Sequence, residues 1–332
     1  MLFFYRQLGG LAHCSTKRNE KLKIVDNVNY QDLIDAETWA FINRTNDYYP
    51  PDMIDASIER QREIYNSMCR EFFGGYPAGV SALDSSADGV PVRVYSSSGK
   101  PKAVMLYLHG GGFVVGGLES HDDVCAELSH RTGCTVISAD YRLCPEHPHP
   151  APYDDAMTAY RWIVRQYALP LLLCGDSAGG NLAAAVAHSS RGDTGAPIGQ
   201  VLIYPGLGGD HTVGSYLRHA EAPMLSTREI LFYEQVRLGS ATREDYAGDA
   251  RYAPLWENDF SGLPATVVFG AQCDPLCDDG EQYCQKLQVA GVQAKWVEET
   301  GLVHGYLRGR GSVQRVRDSF DRICAAVSGL LT

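Results

Sequence analysis

Residues 171–185 have the sequence LLLCGDSAGGNLAAA, in which a short apolar run passes through a glycine-rich turn into a helix-forming run. The apolar run predicts a buried strand, and the run that begins at Asn181 predicts a helix. Small residues flank Ser177 in the pattern Gly-x-Ser-x-Gly, so the turn can hold this serine in a strained backbone conformation. The segment therefore predicts a strand–turn–helix unit that exposes the Ser177 hydroxyl. An ordinary serine in a tight turn is the alternative when this motif is taken alone.

Strand-like and helix-like runs alternate on both sides of this segment. The strand-like runs are residues 90–95, 103–108, 135–139, 171–174, 201–203, 265–269 and 294–297. The helix-like runs between and after them are residues 122–131, 153–167, 181–189, 279–290 and 313–330. Strands that alternate with helices are typical of a mostly parallel sheet with helices on both faces. The sequence therefore predicts the α/β fold class.

Two regions depart from this alternation and indicate additional helical material. Residues 1–80 contain few strand-like runs but have helical spacing of apolar residues over 30–43 and 53–73. Residues 207–248 interrupt the alternation with a helix-like run over 227–238. We therefore expect an N-terminal helical cap over residues 1–80 and an α/β domain over 81–332, with 207–248 contributing to the cap.

The composition of the 332-residue chain excludes several classes of protein. A net charge of −11 disfavours nucleic-acid and anionic-membrane surfaces, and no apolar run approaches the roughly 18 residues that span a bilayer. The apolar stretch at residues 1–6 is too short for a secretion signal. The spacing of the ten cysteines predicts reduced thiols and a cytoplasmic location. No second pair of ligands accompanies Cys273 and Cys277, so we expect no metal site.

A second motif, His109-Gly110-Gly111-Gly112-Phe113, directly follows the strand-like run 103–108. Successive glycines can turn their amide N–H groups toward a negative charge without obstruction by side chains. We predict that the amides of Gly111, Gly112 and Ala178 form an oxyanion hole, and that His109 braces the loop. A flexible loop is an alternative, whereas a phosphate site is disfavoured because no Lys-Ser/Thr pair follows.

The third signal lies late in the chain, where Asp274 and His304 each follow a strand-like run. A serine hydroxyl needs a base to become a nucleophile, and a histidine base needs a carboxylate to fix its tautomer. The order Ser177, Asp274, His304 is the order of the triad in α/β-hydrolases. Asp278 and Asp279 compete for the role of the acid, but we expect both to cap the next helix.

Taken together, the motifs resemble those of the hormone-sensitive-lipase-like α/β-hydrolases, especially the bacterial esterases. The matching segments are residues 109–112, 140–148, 150–155, 175–180, 274–278 and 304–306. The resemblance implies an eight-stranded sheet, a helical cap, a homodimer formed through a sheet edge, and hydrolysis of short- to medium-chain acyl esters without metal or cofactor. It also implies a structural role for Glu146. The chain departs from the family pattern where Cys144, Cys277 and Tyr306 replace the more frequent Ala, Arg and Phe.

Bulky apolar residues in the two helical regions are candidates to line an acyl pocket. We predict this role for Trp39, Phe41, Leu225 and Phe232; further candidates are Tyr48, Tyr49, Phe72 and Phe73. Packing inside the cap is the alternative for each of them. Two other functions stay open at this point. The first is an amidase or deacetylase acting on a specific metabolite, and the second is a non-catalytic ligand receptor on the same fold.

Overall fold

An eight-stranded sheet forms the centre of the computed structural model, which describes residues 28–50 and 53–332. The strands are β1 Ser81–Ala87, β2 Val90–Ser96, β3 Val104–Leu108, β4 Thr135–Ala139, β5 Leu171–Asp176, β6 Gly199–Ile203, β7 Ala265–Cys273 and β8 Ala294–Val303. Their order across the sheet is β1-β2-β4-β3-β5-β6-β7-β8. The pairs β1–β2 and β2–β4 are antiparallel and all other pairs are parallel. The sheet is therefore mostly parallel, as its sequence pattern predicts.

Helices cover both faces of the sheet. They are α1 Tyr30–Leu33, α2 Ala36–Asn46, α3 Ile58–Glu71, α4 Asp122–Thr132, α5 Ala151–Gln166, α6 Ala178–Ser189, α7 Ser215–Arg218, α8 Thr227–Leu238, α9 Cys277–Val289 and α10 Gln314–Gly329. Apolar residues of α5, α6 and α9 belong to one core cluster, and those of α4 and α10 belong to a second. The predicted arrangement of helices on both faces is confirmed.

The central strands have no polar face because they are buried on both sides. Successive side chains of a strand point to opposite faces, so Leu106 of β3 joins one core cluster while Met105 and Tyr107 join the other. All five residues of β3 are buried. This two-sided burial explains why the central strands appear in the sequence as continuous apolar runs.

The first strand, β1, is absent from the strand-like runs that the sequence predicts. Its sequence, SALDSSA, lacks an apolar alternation because six of its seven residues are exposed or only partly buried. It lies at the edge of the sheet and pairs only with β2. Strand β1 therefore completes the eight strands that the family resemblance implies, although its sequence has no strand-like pattern.

The predicted helix over 30–43 consists of two helices, α1 and α2. Asp35 separates them, and its side chain accepts a hydrogen bond of 2.8 Å from the Thr38 amide at the start of α2. A carboxylate that caps the first amides of a helix favours a new start at that residue. In contrast, the predicted helix over 227–238 coincides with α8.

Three sequence-based expectations concern residues that the structure describes only in part. Residues 1–6 and Cys14 lie outside the described residues. The nine cysteines between 28 and 332 are all buried, and the structure pairs none of these nine with another; their reduced state stays a prediction. Among the described helices, none is long and apolar enough to cross a membrane.

Candidate active site

Ser177 occupies the sharp turn between β5 and α6. Its φ of 53° and ψ of −119° are unusual for a residue with a side chain. Such a turn has no room for side chains on either side. A methyl group on Gly179 would lie 1.9 Å from the Leu108 carbonyl oxygen, and one on Gly175 would lie 2.4 Å from the Gly179 carbonyl oxygen. The glycines of the motif are therefore required by close backbone contacts.

The three residues predicted as a catalytic set are hydrogen-bonded to one another. His304 follows β8, and its Nε2 lies 2.9 Å from the Ser177 Oγ. Its Nδ1 lies 2.7 Å from Oδ2 of Asp274, which directly follows β7. A carboxylate can only accept, so Nδ1 carries the proton and Nε2 is free to accept from the serine hydroxyl. The Leu276 amide donates to the other Asp274 oxygen at 2.9 Å and fixes the buried carboxylate.

The competing carboxylates, Asp278 and Asp279, form hydrogen bonds away from His304. Asp278 accepts from the Ser215 amide at 2.8 Å, and Asp279 accepts from the Leu207 amide at 2.7 Å. Burial raises the pKa of Asp279 to about 6. The expectation that both acids cap their own helix is wrong, because they bind the amides of the segment that follows β6 instead.

The glycine loop after β3 has a backbone conformation that only glycine adopts easily. Gly111 has a φ of 128°, and a methyl group there would lie 2.1 Å from the Val115 carbonyl oxygen. Gly112 has a φ of 60°, and a methyl group there would lie 2.6 Å from the Tyr233 ring. Both glycines and Ala178 line the cavity that contains the Ser177 hydroxyl. The structure thus brings together the three predicted oxyanion donors.

Asp176, which precedes Ser177, binds the glycine loop through the Gly110 amide. The sequence analysis did not predict it as a site residue. Its carboxylate accepts from the Gly110 amide at 2.9 Å, the Tyr107 hydroxyl at 2.8 Å and the His121 Nε2 at 3.2 Å. Burial alone raises the pKa of a carboxyl group, but the His121 ring and the Tyr107 hydroxyl outweigh burial and hold the Asp176 pKa far below its usual range. Its position next to Ser177 is the sequence feature that could have identified Asp176 as a site residue.

Two arginines from outside the sheet also contact this loop. Arg62 of α3 donates to the Val114 carbonyl at 2.8 Å and forms a bidentate ion pair with Glu146 at 2.8 and 2.7 Å. The guanidinium of Arg237, from α8, lies 3.8 Å from the centre of the Phe113 ring. Both helical regions therefore help to set the position of the glycine loop. The Glu146 contact agrees with the structural role that the resemblance implies.

His109 lies beside this loop and away from the Ser177 hydroxyl. Its ring stacks on Tyr141 at a centroid distance of 4.3 Å, and its Nδ1 lies 2.8 Å from the Gly110 carbonyl oxygen. Burial lowers its pKa to about 4, so it is neutral at pH 7. These contacts support the predicted bracing role.

Buried neutral histidines predict a loss of stability in mild acid. Burial lowers the pKa to about 4 for His109 and His188 and to about 3 for His149. Below about pH 6.5 the unfolded chain binds protons that the folded protein does not. The free energy of unfolding should therefore fall as the pH drops from about 6.5 toward 4, by up to about 1.4 kcal/mol per pH unit for each histidine.

Urea unfolding at pH 7.5, 6.0 and 5.0 measures this effect. The variant His188→Gln should show a shallower pH dependence than the parent. The exposed His147 offers a matched control, because His147→Gln should leave the dependence unchanged. Equal slopes for His188→Gln and the parent protein would contradict the prediction.

A cavity of about 490 Å³ opens onto Ser177 and His304. Small-molecule sites are commonly of this size. Its described lining residues include Thr45, Tyr49, Met53, Ile54, Tyr65, Met68, Gly111, Gly112, Met224, Leu225, Ile230, Tyr233 and Arg308. Among the predicted pocket residues, Leu225 and Tyr49 are present in this lining. Both helical regions supply residues to the cavity wall.

Three of the predicted pocket residues, Trp39, Phe41 and Phe232, do not line the cavity, so this part of the prediction is wrong. Phe41 is 2% exposed and packs edge-on against Phe72 in a hydrophobic core, and Trp39 packs against the same core. Phe232 contacts the neighbouring Tyr233, and it is the Tyr233 ring that faces the glycine loop. Tyr48, Phe72 and Phe73 also lie outside the lining.

The side chains that commonly bind metals are spread apart in residues 28–50 and 53–332. No group of three or more His, Cys, Asp and Glu side chains there is arranged to hold a metal ion. Cys273 and Cys277, the only thiols considered as metal ligands from the sequence, are both buried.

Comparison with known proteins places these features in a family. The matching family model is described as the alpha/beta hydrolase fold and covers residues 105–308. The esterase LipI of Mycobacterium tuberculosis is 35% identical over 75% of this chain and 81% of its own length. An ethyl acetate hydrolase of Pseudomonas putida is 35% identical over 66% of this chain and 72% of its own length.

A solved structure gives the same result at the level of the fold. The crystal structure of an esterase from the bacterial hormone-sensitive lipase family has a TM-score of 0.81 and 25% identity. The match covers 90% of this chain and 99% of that esterase. The chain belongs to the hormone-sensitive-lipase-like bacterial esterases of the α/β-hydrolase superfamily.

Proposed function

We propose that this esterase cleaves short- to medium-chain carboxylic esters with Ser177 as nucleophile, His304 as general base and Asp274 as the group that orients the base. The observation that carries the proposal is the unbroken chain of hydrogen bonds from Ser177 Oγ through the His304 ring to Asp274, at 2.9 and 2.7 Å. The Ser177 end of this series of hydrogen bonds lies in the cavity, where an ester can reach the serine.

The mechanism follows from the direction of these hydrogen bonds. His304 takes the proton of Ser177 through Nε2 as Oγ attacks the ester carbonyl, and Asp274 stabilises the resulting imidazolium. The amides of Gly111, Gly112 and Ala178 stabilise the negative oxygen. His304 then gives the proton to the leaving alcohol, which leaves an acyl group on the serine. Water activated by His304 releases the acid and restores the enzyme.

Covalent labelling tests this assignment without a variant. Diethyl p-nitrophenyl phosphate should release one equivalent of nitrophenol and add a diethylphosphoryl group to the peptide that contains Ser177. The exposed Ser85 in β1 should stay unmodified in the same digest. Inactivation with the label on a different serine would contradict the role of Ser177.

We infer that residues 28–80 and 207–248 act together as a cap over this site. The inference is supported by cavity-lining residues in both regions, such as Tyr49 and Leu225. It is also supported by the contacts of Arg62 and Arg237 with the glycine loop. In this division the boundary between cap and α/β domain lies near residue 80.

We expect the acyl chain preference to favour short chains. Aromatic rings of Tyr49, Tyr65 and Tyr233 narrow the cavity, and the P. putida relative is named for an acetate ester. With p-nitrophenyl acetate, butyrate, octanoate and palmitate, kcat/KM should be highest for acetate or butyrate and at least about tenfold lower for palmitate. Activity that peaks at palmitate would contradict this preference. Spontaneous hydrolysis of each ester without enzyme is the blank.

Two further expectations stay predictions. A homodimer formed through a sheet edge would involve β1 or β8, the outermost strands of the sheet. Sedimentation velocity at several protein concentrations measures the oligomeric state. Fractionation of the source cells would test the cytoplasmic location that the cysteine pattern predicts.

A further inference from the structure

The turn that carries Asp274 is closed by a serine from a distant segment. This acid turn, residues 274–278, leads from the end of β7 into α9. The Ser215 hydroxyl donates to the Pro275 carbonyl at 2.6 Å and accepts from the Asp278 amide at 3.1 Å. Ser215 is fully buried and lies 60 and 63 residues from these partners in sequence. Its hydroxyl therefore bridges two backbone groups of the acid turn.

The bridge supplies a helix cap that α9 does not provide for itself. The first amides of a helix have no partner inside the helix, and a side chain just before the helix commonly satisfies one of them. In α9 the residue at this place is Leu276, which forms no such bond. The Ser215 hydroxyl satisfies the Asp278 amide instead, and with its proton it satisfies the buried Pro275 carbonyl.

The segment that carries Ser215 is itself bound to the acid turn and to α9. The Ser215 amide donates to the Asp278 carboxylate at 2.8 Å, and the same carboxylate forms an ion pair with Arg218 at 3.1 Å. Asp279 of α9 accepts from the Leu207 amide at 2.7 Å, near the start of this segment. These contacts fix the place of the Ser215 hydroxyl relative to the acid turn.

The shape of the acid turn sets the position of the Asp274 carboxylate. One carboxylate oxygen accepts from the Leu276 amide at 2.9 Å, and the Asp274 carbonyl accepts from the Cys277 amide at 3.1 Å. If the Ser215 hydroxyl were removed, the Pro275 carbonyl and the Asp278 amide could pair with each other only in a tighter turn. Such tightening would move the Leu276 amide and, with it, the carboxylate that faces His304.

We propose that Ser215 is a positioning residue for the catalytic acid, because its hydroxyl keeps the acid turn in the shape that holds Asp274 against His304. Ser215 does not line the cavity, so its effect on the reaction passes through Asp274. This proposal rests on the proposed hydrolysis through Ser177. The region 207–248 thus supplies both a part of the cavity wall and a support of the triad.

Ser215→Ala should lower kcat for p-nitrophenyl butyrate by about ten- to hundredfold, because a small displacement of the acid misplaces the base. KM should stay within about twofold of the parent value, since the acid does not bind the ester. Ser215→Thr keeps the hydroxyl and should retain most of the rate. Thermal unfolding of each variant shows whether its fold is intact.

Ser129 of α4 offers a matched control. It is also fully buried, and its hydroxyl lies 3.3 Å from the Tyr95 carbonyl oxygen and 2.9 Å from the Cys134 carbonyl oxygen. Ser129→Ala therefore removes a hydroxyl of the same kind outside the acid turn. This control should lower the melting temperature and leave kcat unchanged.

A double-mutant cycle separates positioning from a purely structural cap. If Ser215 acts through Asp274, its loss has little left to remove once Asp274→Asn has already weakened the contact with His304. In the Asp274→Asn background, Ser215→Ala should therefore change kcat by less than about twofold. A helix cap alone would lower the melting temperature equally in both backgrounds and would leave kcat unchanged.

Proton NMR provides a second readout that does not depend on turnover. The proton on His304 Nδ1, which Asp274 accepts, should give a resonance far downfield that His304→Gln removes. This resonance should move upfield in Ser215→Ala and keep its place in Ser129→Ala.

Three results would overturn the role of Ser215 alone: a parent kcat in Ser215→Ala, an equal loss in both backgrounds, or an unchanged resonance. Equal losses in Ser215→Ala and Ser215→Thr with intact folds would do the same, because the hydroxyl would then not be responsible. A parent kcat for Asp274→Asn would count against the role of Asp274 in the proposed function and, with it, against that of Ser215.

Discussion

Ser177→Ala should lower kcat for p-nitrophenyl butyrate by about four to six powers of ten, because the acyl-enzyme can no longer form. The change removes one oxygen, and the alanine methyl group keeps the place of the serine Cβ. The turn at residue 177 and its close glycine contacts should therefore survive, and substrate should still bind. The measurement is the steady-state rate with a thermal unfolding curve on the same sample.

Controls for this prediction come from the same residue types. Ser85→Ala, on the exposed face of β1, should keep the parent rate.

Asp274→Asn should lower kcat by about three to four powers of ten, because an amide no longer fixes the protonated Nδ1 of His304. Asp278→Asn should retain most of the rate, since Asp278 binds the Ser215 amide and not the histidine. Near-parent rates for Ser177→Ala would contradict the assigned nucleophile.

Gly111→Ala should lower kcat by about two to three powers of ten while KM changes little. The φ of 128° at this position is unfavourable for any residue with a Cβ, and the added methyl group would lie 2.1 Å from the Val115 carbonyl oxygen. Because the contact is with backbone, the loop itself must shift. A shift moves the amides of Gly111 and Gly112 away from the oxygen that becomes negative in the transition state.

The turn between β1 and β2 supplies a matched control for this substitution. Gly89 has a φ of 99°, and a methyl group there would meet no atom within 4 Å. Gly89→Ala should therefore lower the melting temperature through backbone strain and leave kcat unchanged. If Gly111→Ala and Gly89→Ala reduce kcat equally, the loss does not arise from the oxyanion loop.

The parts of the site that the sequence predicts are those determined by local backbone chemistry. The turn at Ser177 requires glycines within two residues of it, so its motif is visible in the sequence. Asp274 and His304 are 97 and 127 residues from Ser177. Their assignment depends on their places after two predicted strands and on the rule that the triad of α/β-hydrolases has the order Ser, Asp, His along the chain. The observed hydrogen bonds join the three residues that this rule selects.

The residues that sequence reasoning missed depend on contacts between distant segments. Phe232 and Tyr233 are adjacent aromatic residues on α8, and a turn of about 100° separates their directions. Composition does not indicate which of them faces the glycine loop. Similarly, Asp279 has the position of a helix cap, yet it binds the amide of Leu207, which is 72 residues away in sequence. The packing of α8 and of the segment after β6 decides both outcomes.

The ion pair between Arg62 and Glu146 limits how freely the helical region can be exchanged between relatives. The same guanidinium binds the Val114 carbonyl next to the oxyanion loop, so an N-terminal region that lacks it removes a support of the catalytic apparatus along with the old pocket wall. A chimera made to change substrate range should therefore retain the arginine at position 62 or import a partner for Glu146. We therefore expect exchanges of the helical region to change specificity and turnover together.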